Sequence, residues 1–224
     1  MHLLLLSATD FEISETAGWL KNRPPFHNAS KTELLISGIG QLQTGYALQK
    51  KIHERRPDLV VQAGIGGSSS TDDTGKVYAI RSETMADLGL MEKAGFRNIF
   101  DLGLDKPDRF PFQDGKLNNP YRRLLEWTGL PVSDGITVNE IKSADFSGFQ
   151  RNQVQVVESM EGAALHYVCL MEKIPFLQIR SVSNLLGDRD KSRWKIKEAR
   201  ESLHESLVSL IQKLEKADET LFRI

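Results

Sequence analysis

Short, continuous apolar runs alternate with helical patterns along this chain, and that alternation constrains the fold more than any other feature. The runs cover residues 2–7, 33–39, 59–63, 76–81, 154–158 and 175–182. Each is too short for a helix and lacks a polar face, so each reads as a strand buried on both sides. Helical patterns occupy 11–21, 41–55, 121–128, 162–173 and 195–216. In the last, Leu203, Leu207, Leu210, Ile211 and Leu214 fall on one face, a stripe that packs on a core. The alternation predicts an α/β protein with a central sheet flanked by helices. At 224 residues it fits one domain, 1–224. Residues 88–117 are rich in Gly, Pro, Asp and Phe with weak periodicity, which predicts a long loop region, of a length that is usually functional or disordered.

Composition excludes several functions. A formal net charge of −1 leaves no basic surface of the kind nucleic-acid binders need. The lone Cys169 lies in an apolar helical stretch and reads as a core residue rather than half of a disulfide. Leu3 to Leu6 is too short to span a bilayer and has no basic flank. The chain therefore reads as soluble and cytoplasmic, without a membrane partner. The five histidines show no metal spacing, so no metal is expected.

Polar residues concentrate where strands should end. Glu158 and Glu161 bracket Met160, and Ser183-Asn184 ends the next buried run. In α/β sheets, ligands bind at the C-terminal ends of strands. A carboxylate beside a methionine suits a sugar, whose diol needs an acceptor and whose carbon face needs apolar contact. A side-chain amide suits a heterocycle edge. Taken singly, these residues are equally consistent with exposed strand-end charges and a turn former.

VESMEGAA at residues 157–164, followed by RSVSN at 180–184, resembles the purine-binding half of the nucleoside phosphorylase/nucleosidase (PNP/UDP) family. SVSNxxGxRDxxxW at 181–194, ADLG at 86–89 and GITVNEI at 135–141 are most similar to its futalosine hydrolase branch. The resemblance runs from LLLLSATDFE to the C-terminal helix. It implies the single-domain phosphorylase/hydrolase-like fold with a mixed sheet, a nucleoside substrate, no cofactor, and a homodimer in which a neighbour's loop closes the 5′ pocket.

The resemblance also implies roles. Glu12 matches the glutamate that activates water as general base; read alone, Asp10 and Glu12 would complement a helix dipole, with Thr9 or Asp10 as cap. Gly66 and Gly67, in GIGGSSS after an apolar strand, would line the base and ribose pocket. The spacing is not that of a nucleotide-phosphate loop. No arginine precedes this loop, and two carboxylates in the 7–12 loop would repel a phosphate dianion, so water is favoured over phosphate as nucleophile. SGIG at 37–40 reads as backbone geometry beside the site. Val138 would offer its backbone to the purine. Met160 and Glu161 match the ribose clamp, and Ser183 lies beside the base.

Asn184 is a departure: the family's methylthioadenosine nucleosidases carry an aspartate there, which protonates adenine. A neutral amide instead donates N–H to N7 and O6 of a 6-oxopurine, where an ionised aspartate would leave a like-polarity contact costing about 1–3 kcal/mol. Asn184 therefore points to hypoxanthine or guanine as the leaving base. Asp188 and Asp190 are alternatives as acid, with a loop role beside Arg189 favoured. Trp194 is placed over the pocket or in packing. Arg109, in DRFPF, is the candidate partner of a substrate carboxylate, with Phe96, Phe100, Phe110 and Phe112 as an aromatic wall or as packing. The expected activity is hydrolysis of futalosine. The rivals are a methylthioadenosine/S-adenosylhomocysteine nucleosidase, a purine nucleoside phosphorylase, and a non-catalytic purine-nucleoside binding protein.

Overall fold

The computed structural model describes residues 1–23, 31–141 and 155–222. The first Val of the expected 154–158 strand lies outside the described residues. The elements run β1 (His2–Ser7), α1 (Asp10–Asn22), β2 (Lys31–Ile36), α2 (Gln41–Glu54), β3 (Leu59–Ser68), β4 (Val77–Met85), β5 (Gly89–Glu92), β6 (Gly95–Asn98), β7 (Leu117–Asn118), α3 (Arg122–Trp127), β8 (Val132–Thr137), β9 (Val156–Ser159), α4 (Gly162–Glu172), β10 (Phe176–Leu185) and α5 (Ile196–Leu214). Every expected strand and helix forms.

One mixed sheet of eight strands carries the fold, in the order β10-β4-β8-β9-β3-β1-β2, with β7 on β4. A further pairing of β10 with β3 closes β10, β4, β8, β9 and β3 into a ring, from which β1 and β2 extend. The β1–β2, β1–β3, β3–β10, β4–β8 and β8–β9 pairs are parallel, whereas β10–β4 and β3–β9 are antiparallel. Leu3 to Leu6 are at most 2% exposed because β1 is covered on both faces. The α5 stripe is buried as its spacing requires, Leu203, Leu207, Leu210, Ile211 and Leu214 all being core residues. Cys169 is a free, fully buried thiol. Among the described residues no helix is long and apolar enough to cross a membrane.

The segment 88–117 differs from the expected loop. It opens with a β5–β6 hairpin and closes through a cis Phe110–Pro111 bond into β7. Phe112 is buried edge-on to Phe100, so these rings pack rather than wall a pocket. β8 was legible only as part of a motif. Its VSDGIT sequence carries Asp and Gly, and sheet neighbours on both sides make it a strand.

Register places the strand ends side by side. On β3, Gly64 pairs with Arg180 of β10, and Gly67 pairs with Asn184 of β10 and Glu158 of β9. Ser183 sits in the irregularity between Val182 and Asn184, where the register shifts.

Candidate active site

Glu12 enters from the first turn of α1. Thr9 caps that helix: its hydroxyl oxygen accepts from the Glu12 N–H at 3.3 Å and its O–H donates to Glu12 Oε2 at 3.0 Å. The other carboxylate oxygen, Oε1, accepts from the Ile65 N–H at 3.0 Å, which ties the carboxyl to the glycine-rich end of β3. Burial pushes the Glu12 carboxyl above its ordinary range, and the nearby Arg180 guanidinium opposes that rise. A carboxyl raised above its ordinary range holds a proton more readily once it accepts one, which suits a general base. Gly64 is required here, since a Cβ would strike the Arg180 guanidinium and lie 2.9 Å from Glu12 Oε1.

Glu161 occupies the joint between β9 and α4 and is 5% exposed. Its Oε1 accepts from the Gly40 N–H at 3.0 Å, and its Oε2 lies 3.4 Å from Arg180 Nη2. The 37–40 segment thus contacts the candidate site directly, through a glycine with φ of 88°. Met160 is half-buried beside it.

Arg180 is the group that sequence reasoning missed. It stands in the middle of β10, 1% exposed, with Nη2 also donating to Gln62 Oε1 at 3.1 Å. It brings a cation between Glu12 and Glu161, although no arginine precedes the glycine loop. A charge inside an otherwise apolar strand has to be paired, and that is the signal that could have found it. Deeper lies a second missed carboxyl, Glu83 of β4, wholly buried. It accepts from Gln178 Nε2 at 2.8 Å and Thr137 Oγ1 at 2.9 Å. Burial raises it to about 7, against its hydrogen bonds and Arg180. The buried His166 is held well below its usual range, at about 4, chiefly by desolvation, so it is neutral.

At the end of β10, the Ser183 hydroxyl donates to Asn184 Oδ1 at 2.7 Å, and Asn184 Nδ2 donates to Leu185 O at 3.0 Å. The amide oxygen is therefore held by a donor, and one N–H is left for a ligand. Ser183 also lies 3.2 Å from Gly66 O, which braces the glycine turn. Val138 donates its N–H to Ser159 O at 3.0 Å, so of its backbone groups the carbonyl is the one left for a base.

Glu12, Gly66, Gly67, Met160, Glu161, Ser183 and Asn184 are thus brought to neighbouring strand and helix ends. Arg109 is not. It is exposed in the β6–β7 connection and pairs with Asp105 at 2.9 Å, bonding to none of the residues above. Asp188 pairs with Arg193 at 2.6 Å rather than with Arg189, and Asp190 caps the turn at 191–193. Trp194 donates from Nε1 to Asp188 O at 3.0 Å, which ties that loop to itself.

Comparison with known proteins adds three relatives. The futalosine hydrolase of Streptomyces coelicolor is 31% identical, over 96% of this chain and 97% of its own. A solved MTA/SAH nucleosidase superposes with a TM-score of 0.74 at 18% identity, over 98% of each chain. The futalosine hydrolase of Helicobacter pylori strain 26695 superposes with a TM-score of 0.73 at 14% identity, over 95% of this chain and 98% of that one. At those identities the two structures show the fold alone. The phosphorylase superfamily model matches residues 27–216. With that match and the Streptomyces relative spanning nearly its whole length, the chain belongs to the phosphorylase superfamily, the nucleoside phosphorylase/nucleosidase family.

Proposed function

We propose that the protein is a futalosine hydrolase, cleaving the N-glycosidic bond of futalosine to hypoxanthine and dehypoxanthine futalosine, a step toward menaquinone. The observation that carries this reading is Asn184, a neutral amide oriented by Ser183 at the end of β10. Its remaining N–H donates to the N7/O6 edge of a 6-oxopurine, and it has no proton to give up to adenine. The 31% identical Streptomyces relative supports the same substrate.

The chemistry begins with departure of the base. The C1′–N9 electron pair moves to the purine, and the N–H of Asn184 stabilises the developing anion. Glu161 accepts from the ribose hydroxyls and, as an anion near C1′, favours the cationic sugar. Met160 covers its carbon face, while Gly66 and Gly67 let the base approach the β3 backbone. Water attacks C1′ and gives its proton to Glu12. Arg180 already bonds Glu161 and Gln62, and with two carboxylates beside it the site suits water better than a phosphate dianion. The protein acts as a homodimer: Leu42 and Tyr46 on α2 and Met171 on α4 are exposed apolar residues on packed helices, a surface a second copy would cover. Arg109 reaches the substrate's benzoate from the neighbouring copy.

The test is base release from futalosine in phosphate-free buffer and with phosphate added. Equal rates and a free sugar product support hydrolysis. Release that needs phosphate makes the protein a phosphorylase, and stoichiometric binding without release makes it a binding protein.

A further inference from the structure

Glu158 stands apart from the machinery just described. It lies on β9 directly across from Gly67, and on the other side of Gly67 lies Asn184. Residues paired directly across strands point to the same face, so the two polar side chains flank a residue with none. Neighbouring strands are about 4.8 Å apart, which sets the two outer strands about 10 Å apart across Gly67. A purine held by one hydrogen bond on each edge needs a span of about the same size. Gly67 keeps the floor between them open; a Cβ there would already lie 3.2 Å from Asn184 Nδ2. Glu158 is half-buried, and among the described residues its carboxyl makes no hydrogen bond. The groups facing it are Asp87, from the β4–β5 turn, and Arg189, from the loop after β10. Asp87 is occupied with the N–H groups of Asn139 and Glu140.

We propose that Glu158 reads the pyrimidine edge of the base opposite Asn184, its carboxylate accepting the N1–H of a 6-oxopurine. This rests on the nucleosidase reading and sharpens its specificity. Hypoxanthine presents a donor at N1, whereas adenine presents a lone pair. An ionised carboxylate accepts from the first and opposes the second, and a protonated one does the reverse. Burial, reinforced by Asp87 and opposed by Arg189, raises this carboxyl to about 7. Base preference therefore changes with pH near neutrality. As pH rises through that value the carboxyl ionises, and preference moves toward hypoxanthine.

The experiment is calorimetric titration of the whole protein with free hypoxanthine and with adenine, at about pH 6 and about pH 8. The expected result is a hypoxanthine-over-adenine preference that grows about 10-fold or more with pH. At neutral pH, hypoxanthine binding should release a proton to the buffer and adenine binding should take one up. Glu158→Gln should bind both bases with no pH dependence and no proton exchange at this site. Glu158→Asp, which keeps the charge one methylene shorter, should retain the pH dependence in weaker form. A merely structural role would move affinity but not the sign of proton exchange. The inference is overturned by a wild-type preference that ignores pH, by Glu158→Gln keeping the wild-type dependence, or by neither base binding. Futalosine cleavage, run in parallel, separates the two readings. Cleavage with a pH-blind preference removes Glu158 alone, and a pH-dependent preference without cleavage removes the hydrolase alone.

Discussion

Replacing Arg180 by methionine keeps the length of the side chain and removes the cation between Glu12 and Glu161. The wild-type guanidinium is 1% exposed, bonded to Gln62 and paired with Glu161. Removing one partner of a buried ion pair leaves an uncompensated charge and costs about 3–5 kcal/mol. For a domain of this size each kcal/mol lowers Tm by about 2–4 °C, so the expected fall is about 6–20 °C. The deficit should depend on pH. Without Arg180 the Glu12 carboxyl, already raised by burial, rises further. A carboxyl raised in the folded state contributes stability below its unfolded value and loses it as pH rises through the folded value. The variant's deficit should thus be small at about pH 5 and full at about pH 8. Catalysis reports the same shift, because a base with a raised pKa must ionise at higher pH. The acid limb of the kcat/KM profile moves up. Urea unfolding at the two pH values, with pH–rate profiles of both proteins, tests it. A deficit below about 1 kcal/mol at both pH values, with an unmoved acid limb, would refute the role given to Arg180.

Other perturbations act on single groups. Glu12→Gln should lower kcat by about 10²–10⁴-fold while futalosine still binds, measured by single-turnover kinetics and calorimetry; unchanged kcat removes Glu12 from the chemistry. Glu161→Ala should lower both kcat and affinity, since it acts on the ribose before and during bond breaking. Glu83 lies at about 7 in the fold, so the wild type should lose about 3 kcal/mol of stability as pH rises through that value. Glu83→Gln should flatten that slope, and a slope unchanged in the variant assigns it to another group. Arg109→Ala should weaken kcat/KM for futalosine by about 1.5–3 kcal/mol and leave inosine nearly unchanged. Equal losses on both substrates would mean that Arg109 supports the fold or the assembly.

The sheet and the long helices were legible because their signals are local. LLLL in β1 and the Leu203–Leu214 stripe admit little besides burial. Glu12, Glu161 and Asn184 were legible as polar residues at element ends, with the family resemblance supplying roles. What stayed hidden depends on pairing across the chain. Arg180 sits in a run that reads as plain strand, and its meaning comes from Glu161 and Gln62, far away in sequence or on another element. Gly40 looked like turn geometry until its N–H met Glu161. Glu158 was noticed as a strand-end charge, but only the register through Gly67 sets it opposite Asn184. Arg109 is a different case, exposed and away from the other candidate residues within one copy. Its aromatic neighbours suggested a pocket, yet Phe112 is buried against Phe100, and Arg109 itself is paired with Asp105.

The central claim is that a neutral amide at position 184 selects a 6-oxopurine leaving base. It is tested most directly by comparing kcat/KM for futalosine and for methylthioadenosine on the same protein, beside the Asn184→Asp variant. The account predicts that the wild type releases hypoxanthine from futalosine faster than adenine from methylthioadenosine. It also predicts that Asn184→Asp moves the ratio toward adenine by about 10-fold or more. Faster release of adenine by the wild type, or a ratio that Asn184→Asp leaves unchanged, would contradict it.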